Sequence, residues 1–131
     1  MKLLFKEGDT KHFTRKVALT DTASFDSGMV HPVYATFAIA RDAEWACRLF
    51  VLEMKEEDEE GIGTYVSVNH MSPALVEEEV IFEVCVQKIK KNEITCSYTA
   101  ACGNRLIAEG ENKQKVLNKV RLEELFNKIK Q

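Results

Sequence analysis

The hydrophobic period of the chain changes at Gly61. Before it, TFAIARDAEWACRLFVLEM, Thr36 to Met54, has the strongest helical pattern. Phe37, Ala40, Ala43, Glu44, Cys47 and Val51 fall on one stripe at helical spacing. Ile39, Trp45, Leu49, Phe50 and Leu52 add bulk around the rest, so the helix is expected to be buried on most sides. It contains no Gly or Pro, and Thr36 has the chemistry of an N-cap. After Gly61 the period becomes two. Gly61 to Met71 reads as one strand, and Glu78 to Lys90 as another with Val80, Phe82, Val84 and Val86 on one face. Lys91 to Glu93 makes a short turn, Ile94 to Cys102 the next strand, and Gly103-Asn104 a hairpin. A strand from Arg105 turns polar toward Leu117. The chain closes as an amphipathic helix carrying Leu122, Leu125, Phe126 and Ile129.

Ahead of the long helix the signals are weaker. The first dozen residues have no period, and His12 to Thr20 suits a strand. Asp21 to Ala35 carries turn residues and a proline and reads as a long surface loop. One buried helix against consecutive antiparallel strands gives an α+β domain spanning residues 1–131.

Composition narrows the function classes. A formal net charge of -3 supplies no basic field for nucleic acid, and no apolar run is long enough for a membrane span. The opening MKLLFKEGDT is too short and too charged for a signal peptide. Cys47, Cys85, Cys96 and Cys102 form no CxxC pair, and no histidine lies at finger spacing, so no metal site is expected. Thiols within apolar segments suit a reducing, cytoplasmic compartment. The acidic run Glu53 to Gly61 lacks calcium-loop spacing and reads as a solvated helix end.

Three residues carry candidate chemistry, and each has a plain structural alternative. Glu44 sits mid-helix among apolar neighbours, where a carboxylate needs a partner; Arg41 or Arg48 could supply one. Thr36 opens the helix, where free amides and the dipole favour developing negative charge, or it merely caps. His70 ends an otherwise apolar strand face of Ile62, Thr64, Val66 and Val68. It is either an edge histidine or an acid–base group facing Glu44. His12 and His31 lie in loop-like stretches and should be exposed.

ATFAIARDAEWACRLF followed by GIGTYVSVNHMSPALVEEEVIFEVCV resembles hotdog-fold thioesterases of the fluoroacetyl-CoA thioesterase type, from Ala35 to about Gly110. The resemblance implies a sheet wrapped around the central helix and a homodimer, with a tetramer as the alternative. It also implies an acyl-CoA substrate of small or short chain, and no cofactor beyond the CoA of the substrate. It assigns catalysis to Thr36, Glu44 and His70, with Pro73 completing HMSP. The carboxylate would be either general base or nucleophile. Gly63 corresponds to the family's glycine at the acyl pocket. Phe37 replaces the proline that commonly follows the opening hydroxyl residue, and is assigned to substrate contact. PALVEEEV lacks the glycine usual after the His-x-x-Pro stretch. The fluoroacetate enzyme's aromatic lid has only Phe25 and Tyr34 as candidates. A non-catalytic acyl-CoA-binding module on the same fold is the second reading, and enoyl-CoA hydration a third.

Overall fold

The computed structural model describes all 131 residues. The chain runs through β1 (Thr10–Lys16), a 3-10 turn (Leu19–Asp21), β2 (Thr22–Phe25), β3 (Gly28–Tyr34) and α1 (Thr36–Met54). Then follow β4 (Glu59–Val66), β5 (Asn69–His70), β6 (Glu79–Lys90), β7 (Glu93–Cys102), β8 (Arg105–Asn118) and α2 (Lys119–Lys130). The main sheet has the order β1-β6-β7-β8-β4, with β5 also paired to β8; β2 and β3 form a separate hairpin. Every pairing is antiparallel.

The sheet curls around α1, which touches β6, β1, β4 and β8. The reason is visible in the side chains. Val80, Phe82, Val84 and Val86 of β6 are buried in alternation, as are Ile94, Cys96, Tyr98 and Ala100 of β7. They close on Ala38, Ile39, Ala43, Ala46, Cys47, Phe50, Val51 and Met54 of α1. Small residues on this helix face let the sheet approach closely. A Cβ on Gly61 would meet Val51 Cγ1 at 2.5 Å. Phe82 sits between Tyr34 and Tyr98, with ring centroids 6.5 and 6.1 Å away.

Three expectations change. Asp21 to Ala35 is not a loop but a 3-10 turn and the β2–β3 hairpin. Its register shifts twice and its apolar Met29 and Val30 are exposed, so neither alternation nor burial marks it as sheet. Second, Gly61 to Met71 is not one strand. It breaks at Ser67, whose carbonyl accepts from the Tyr98 hydroxyl at 2.7 Å and whose Oγ accepts from the Glu111 amide at 2.9 Å. Gly110 opens the space: a Cβ there would press on the Ser67 carbonyl, with the carbonyl carbon at 2.8 Å. Third, α1 is not buried on most sides within one chain. Trp45 and Leu52 are 42% and 41% exposed.

The opposite side of α1 hides a charge. Asp42 is fully buried. Arg15 clamps it with Nε at 3.2 Å and Nη2 at 2.9 Å, Arg41 adds two more contacts, and the Tyr34 hydroxyl donates to it. Arg41 also reaches Asp21 at 2.7 Å. Burial of a carboxylate is tolerable here because its oxygens are occupied by charged donors. Burial and the neighbouring Asp42 push the Tyr34 phenol far above its usual range, so it stays a donor. This node fixes β1, the hairpin and α1 together, and so fixes where α1 begins.

Candidate active site

The start of α1 is the first half of the site. Ala35 occupies the N-cap position and offers no side-chain cap. The first intrahelical bond runs from the Ile39 amide to Ala35 O at 3.0 Å. The amides of Thr36, Phe37 and Ala38 precede it and lie in the positive end of the helix dipole. Thr36 is therefore the first helical residue rather than the cap. Its hydroxyl is spent on His70, with Oγ1 to Nδ1 at 2.9 Å.

His70 reaches that position because the strand breaks at Ser67. Two residues of β5, Asn69 and His70, then re-pair with Glu109 and Ala108 of β8. The ring is half-buried, and its Nε2 is buried with no hydrogen-bond partner. An open recess of about 220 Å³ is lined by His70, Met71, Ser72 and Pro73.

Glu44 forms the second half, two helical turns on. Arg41 is taken by Asp21 and Asp42, and Arg48 by Glu60 and the Gly61 carbonyl, so neither pairs with Glu44. Its carboxyl group lies directly behind Gly63 of β4. A Cβ on Gly63 would meet the Glu44 carboxyl carbon at 2.6 Å and Oε2 at 2.9 Å, with Oε1 closer still. Only glycine leaves that room. The β4–β8 register also slips between Gly63 and Tyr65.

The sequence reading missed two residues here. Asn112 and Gln114, each 1% exposed, follow one another on the inward face of β8. Asn112 Nδ2 donates to Tyr65 O at 2.9 Å and reaches Glu44 Oε1 at 3.5 Å. Gln114 Nε2 donates to Glu44 O at 3.0 Å and to Asn112 Oδ1 at 2.8 Å. The only available signal was polar residues at positions where the alternation of β8 asks for apolar ones.

Within one chain Glu44 and His70 do not hydrogen-bond; His70 pairs with Thr36, and Glu44 reaches Asn112. Thr36 and Glu44 are about 12 Å apart along the helix axis. Phe37 is 50% exposed beside Thr36 and stacks edge-on against Phe25 of the hairpin, centroids 5.9 Å apart. Of the two aromatic candidates for a cover, Phe25 is exposed over Phe37, whereas Tyr34 is fully buried on Asp42. His12 and His31 are exposed.

Cys47 follows Glu44 by three residues but offers no nucleophile. Contact with Cys96, burial and the Glu44 charge all push its thiol far up, so it stays protonated. No group of three or more His, Cys, Asp or Glu side chains is gathered in the way a metal ion would need. No helix is long and apolar enough to cross a membrane.

Residues 17–120 match the model of the fluoroacetyl-CoA-specific thioesterase family. The chain belongs to that family. By that membership it is a hotdog-fold thioester hydrolase acting on acyl-CoA. The fold is similar to that of a Thermus thermophilus hypothetical protein, a thioesterase superfamily member, at 35% identity and a TM-score of 0.90. That likeness covers 95% of this chain and 93% of the other. A hot-dog-like protein from Thermanaerovibrio acidaminovorans shares 20% identity at a TM-score of 0.87, covering 95% and 93%. The fluoroacetyl-CoA thioesterase itself shares 18% at 0.87, covering 95% and 96%. No curated protein matches the sequence.

Proposed function

We propose that the chain, as one unit over residues 1–131, hydrolyses a small acyl-CoA thioester through Thr36, Glu44 and His70. Gly63 and Phe37 border the acyl group. One observation carries the reading: a carboxylate is packed against a glycine of the edge strand, and a hydroxyl–imidazole pair sits at the start of the same helix.

The chemistry follows from the positions. Glu44 delivers the attack, either by taking a proton from water or by adding directly to the thioester carbonyl. The carbonyl oxygen gains charge as the tetrahedral adduct forms. The free amides at the start of α1 are placed to stabilise it. When the Thr36 hydroxyl donates to His70 Nδ1, the neutral ring carries its proton on Nε2, the buried atom that has no partner. That N–H is a free hydrogen-bond donor; the CoA sulfur leaves as a thiolate when the C–S bond breaks and takes its proton from water or from the acid form of Glu44. The reaction so written draws on water and side chains, with CoA entering only as part of the substrate.

A homodimer fits the same site. Strand β4 ends the sheet, and its Gly63, Thr64, Tyr65 and Val66 are exposed. An unpaired edge of this kind is a template for a second copy. The four free cysteines suit a reducing cytoplasm.

The test is thiol release from a panel of short acyl-CoAs, fluoroacetyl-CoA included, by wild type, Glu44→Ala and His70→Ala. Turnover that collapses in both folded variants supports the reading. A folded wild type that binds CoA esters and releases no thiol from any of them is instead a binding module.

A further inference from the structure

Resting on the reading of Glu44 as the attacking carboxylate, we propose that Asn112 is a positioning residue for it, and that Gln114 sets the polarity of Asn112. Both amides are 1% exposed on a face where apolar side chains would pack without polar partners to satisfy. Their bonds run in one direction. The Gln114 Nε2 group spends its two hydrogens on two oxygens, Glu44 O and Asn112 Oδ1. Asn112 Oδ1 is therefore the acceptor, and a flipped Asn112 would set two NH2 groups against each other. Its own NH2 must then face Tyr65 O at 2.9 Å and Glu44 Oε1 at 3.5 Å.

The geometry gives the arrangement a purpose. Gly63 limits the carboxyl group from the strand side by leaving it space and nothing to hold. Arg41 and Arg48 are both engaged elsewhere. Asn112 is thus the side-chain donor that reaches the carboxylate, and its bond to Tyr65 O anchors it to the strand that carries Gly63. The Gln114 bond to the main-chain carbonyl of Glu44 ties the same unit to α1. The carboxylate is met by one neutral donor, Asn112, which orients it and leaves its charge available.

Asn112→Leu keeps the branching and the number of heavy atoms and removes the donor. It should lower kcat about tenfold, the value of a hydrogen bond to a charged group at the weak end of its range, with KM little changed. Gln114→Leu should act in the same direction, and the double variant should be no slower than Asn112→Leu alone, because Gln114 acts through Asn112. Asn112→Asp replaces the donor by a second carboxylate of the same shape. It should lower kcat at least as far as Asn112→Leu with KM little changed, because an acceptor then faces the Glu44 carboxylate in place of a donor. Asn112→Asp keeps the shape of the side chain and carries the test if Asn112→Leu does not fold.

Wild-type kcat in Asn112→Leu, or in Asn112→Asp where Asn112→Leu does not fold, overturns the proposal. Glu44→Gln in the same assay separates it from the reading beneath it. If Glu44→Gln is inactive while Asn112→Leu is unimpaired, only the positioning role fails. If Glu44→Gln turns over normally, the role of Glu44 fails and the positioning role with it.

Discussion

Gly63→Ala is the sharpest perturbation this site allows. The added Cβ would stand 2.6 Å from the Glu44 carboxyl carbon, where ordinary contact begins at 3.4 Å. The carboxyl group must recede by about 0.8 Å or more. It can do so because it is the end of a flexible side chain rather than backbone. The backbone at Gly63 is not in the left-handed region, so alanine adopts it without strain. The fold should therefore survive, and loss of glycine's freedom in the unfolded chain should add a few tenths of a kcal/mol. Activity should not survive as well, since a displacement on the order of 1 Å at a reacting group costs about a hundredfold, near 2.7 kcal/mol of barrier. The assay is kcat/KM for thiol release beside a urea unfolding curve. Wild-type kcat/KM in Gly63→Ala would refute the placement of Glu44 at the reacting carbon. A large loss of stability would refute the claim that the side chain yields.

Other substitutions probe other parts of the account. In Gly110→Ala the Cβ meets the Ser67 main chain, which cannot yield like a side-chain end; about 2–3 kcal/mol of stability should be lost in urea, and thiol release should fall as His70 moves. Asp42→Ala leaves the buried Tyr34 hydroxyl without its acceptor, while Arg15 and Arg41 are partly exposed to water, and should cost roughly 1–3 kcal/mol by the same measurement. Burial alone would raise Asp21, but the Ala18 amide and Arg41 outweigh it and hold its carboxyl below the usual 3.8. Its contribution is complete above the unfolded value and is lost as pH falls below it through the folded one. Arg41→Met should accordingly move the acid unfolding midpoint to higher pH; an unchanged midpoint contradicts the sign. Sedimentation should give a dimer for wild type, and Val66→Asp on the open edge should give monomers.

What the sequence discloses depends on how many forces agree at a position. Thr36 to Met54 was legible to both ends because helical spacing, propensity and the change of period at Gly61 point the same way. Val80 to Val86 and the Gly103-Asn104 turn were legible for similar reasons, and Gly103 has the positive φ such a turn asks for. Asp42 was not, because nothing along the helix tells a solvated aspartate from one met by Arg15, distant in sequence, and by Tyr34. The break at Ser67 was hidden because its causes, Tyr98 and Gly110, come from other strands. Within the site, the residue types at 36, 44, 63 and 70 stood out. The partition into a Thr36–His70 pair and a Glu44–Gly63 pair did not, since strand register past a break is a tertiary property.

The central claim is that this fold hydrolyses a small acyl-CoA through Glu44. The most direct measurement is the rate of thiol release from the best short acyl-CoA by wild type and by Glu44→Gln, which keeps shape and removes the charge. The account predicts that Glu44→Gln stays folded and loses about 10²-fold or more in kcat. Equal rates from the two proteins would contradict it.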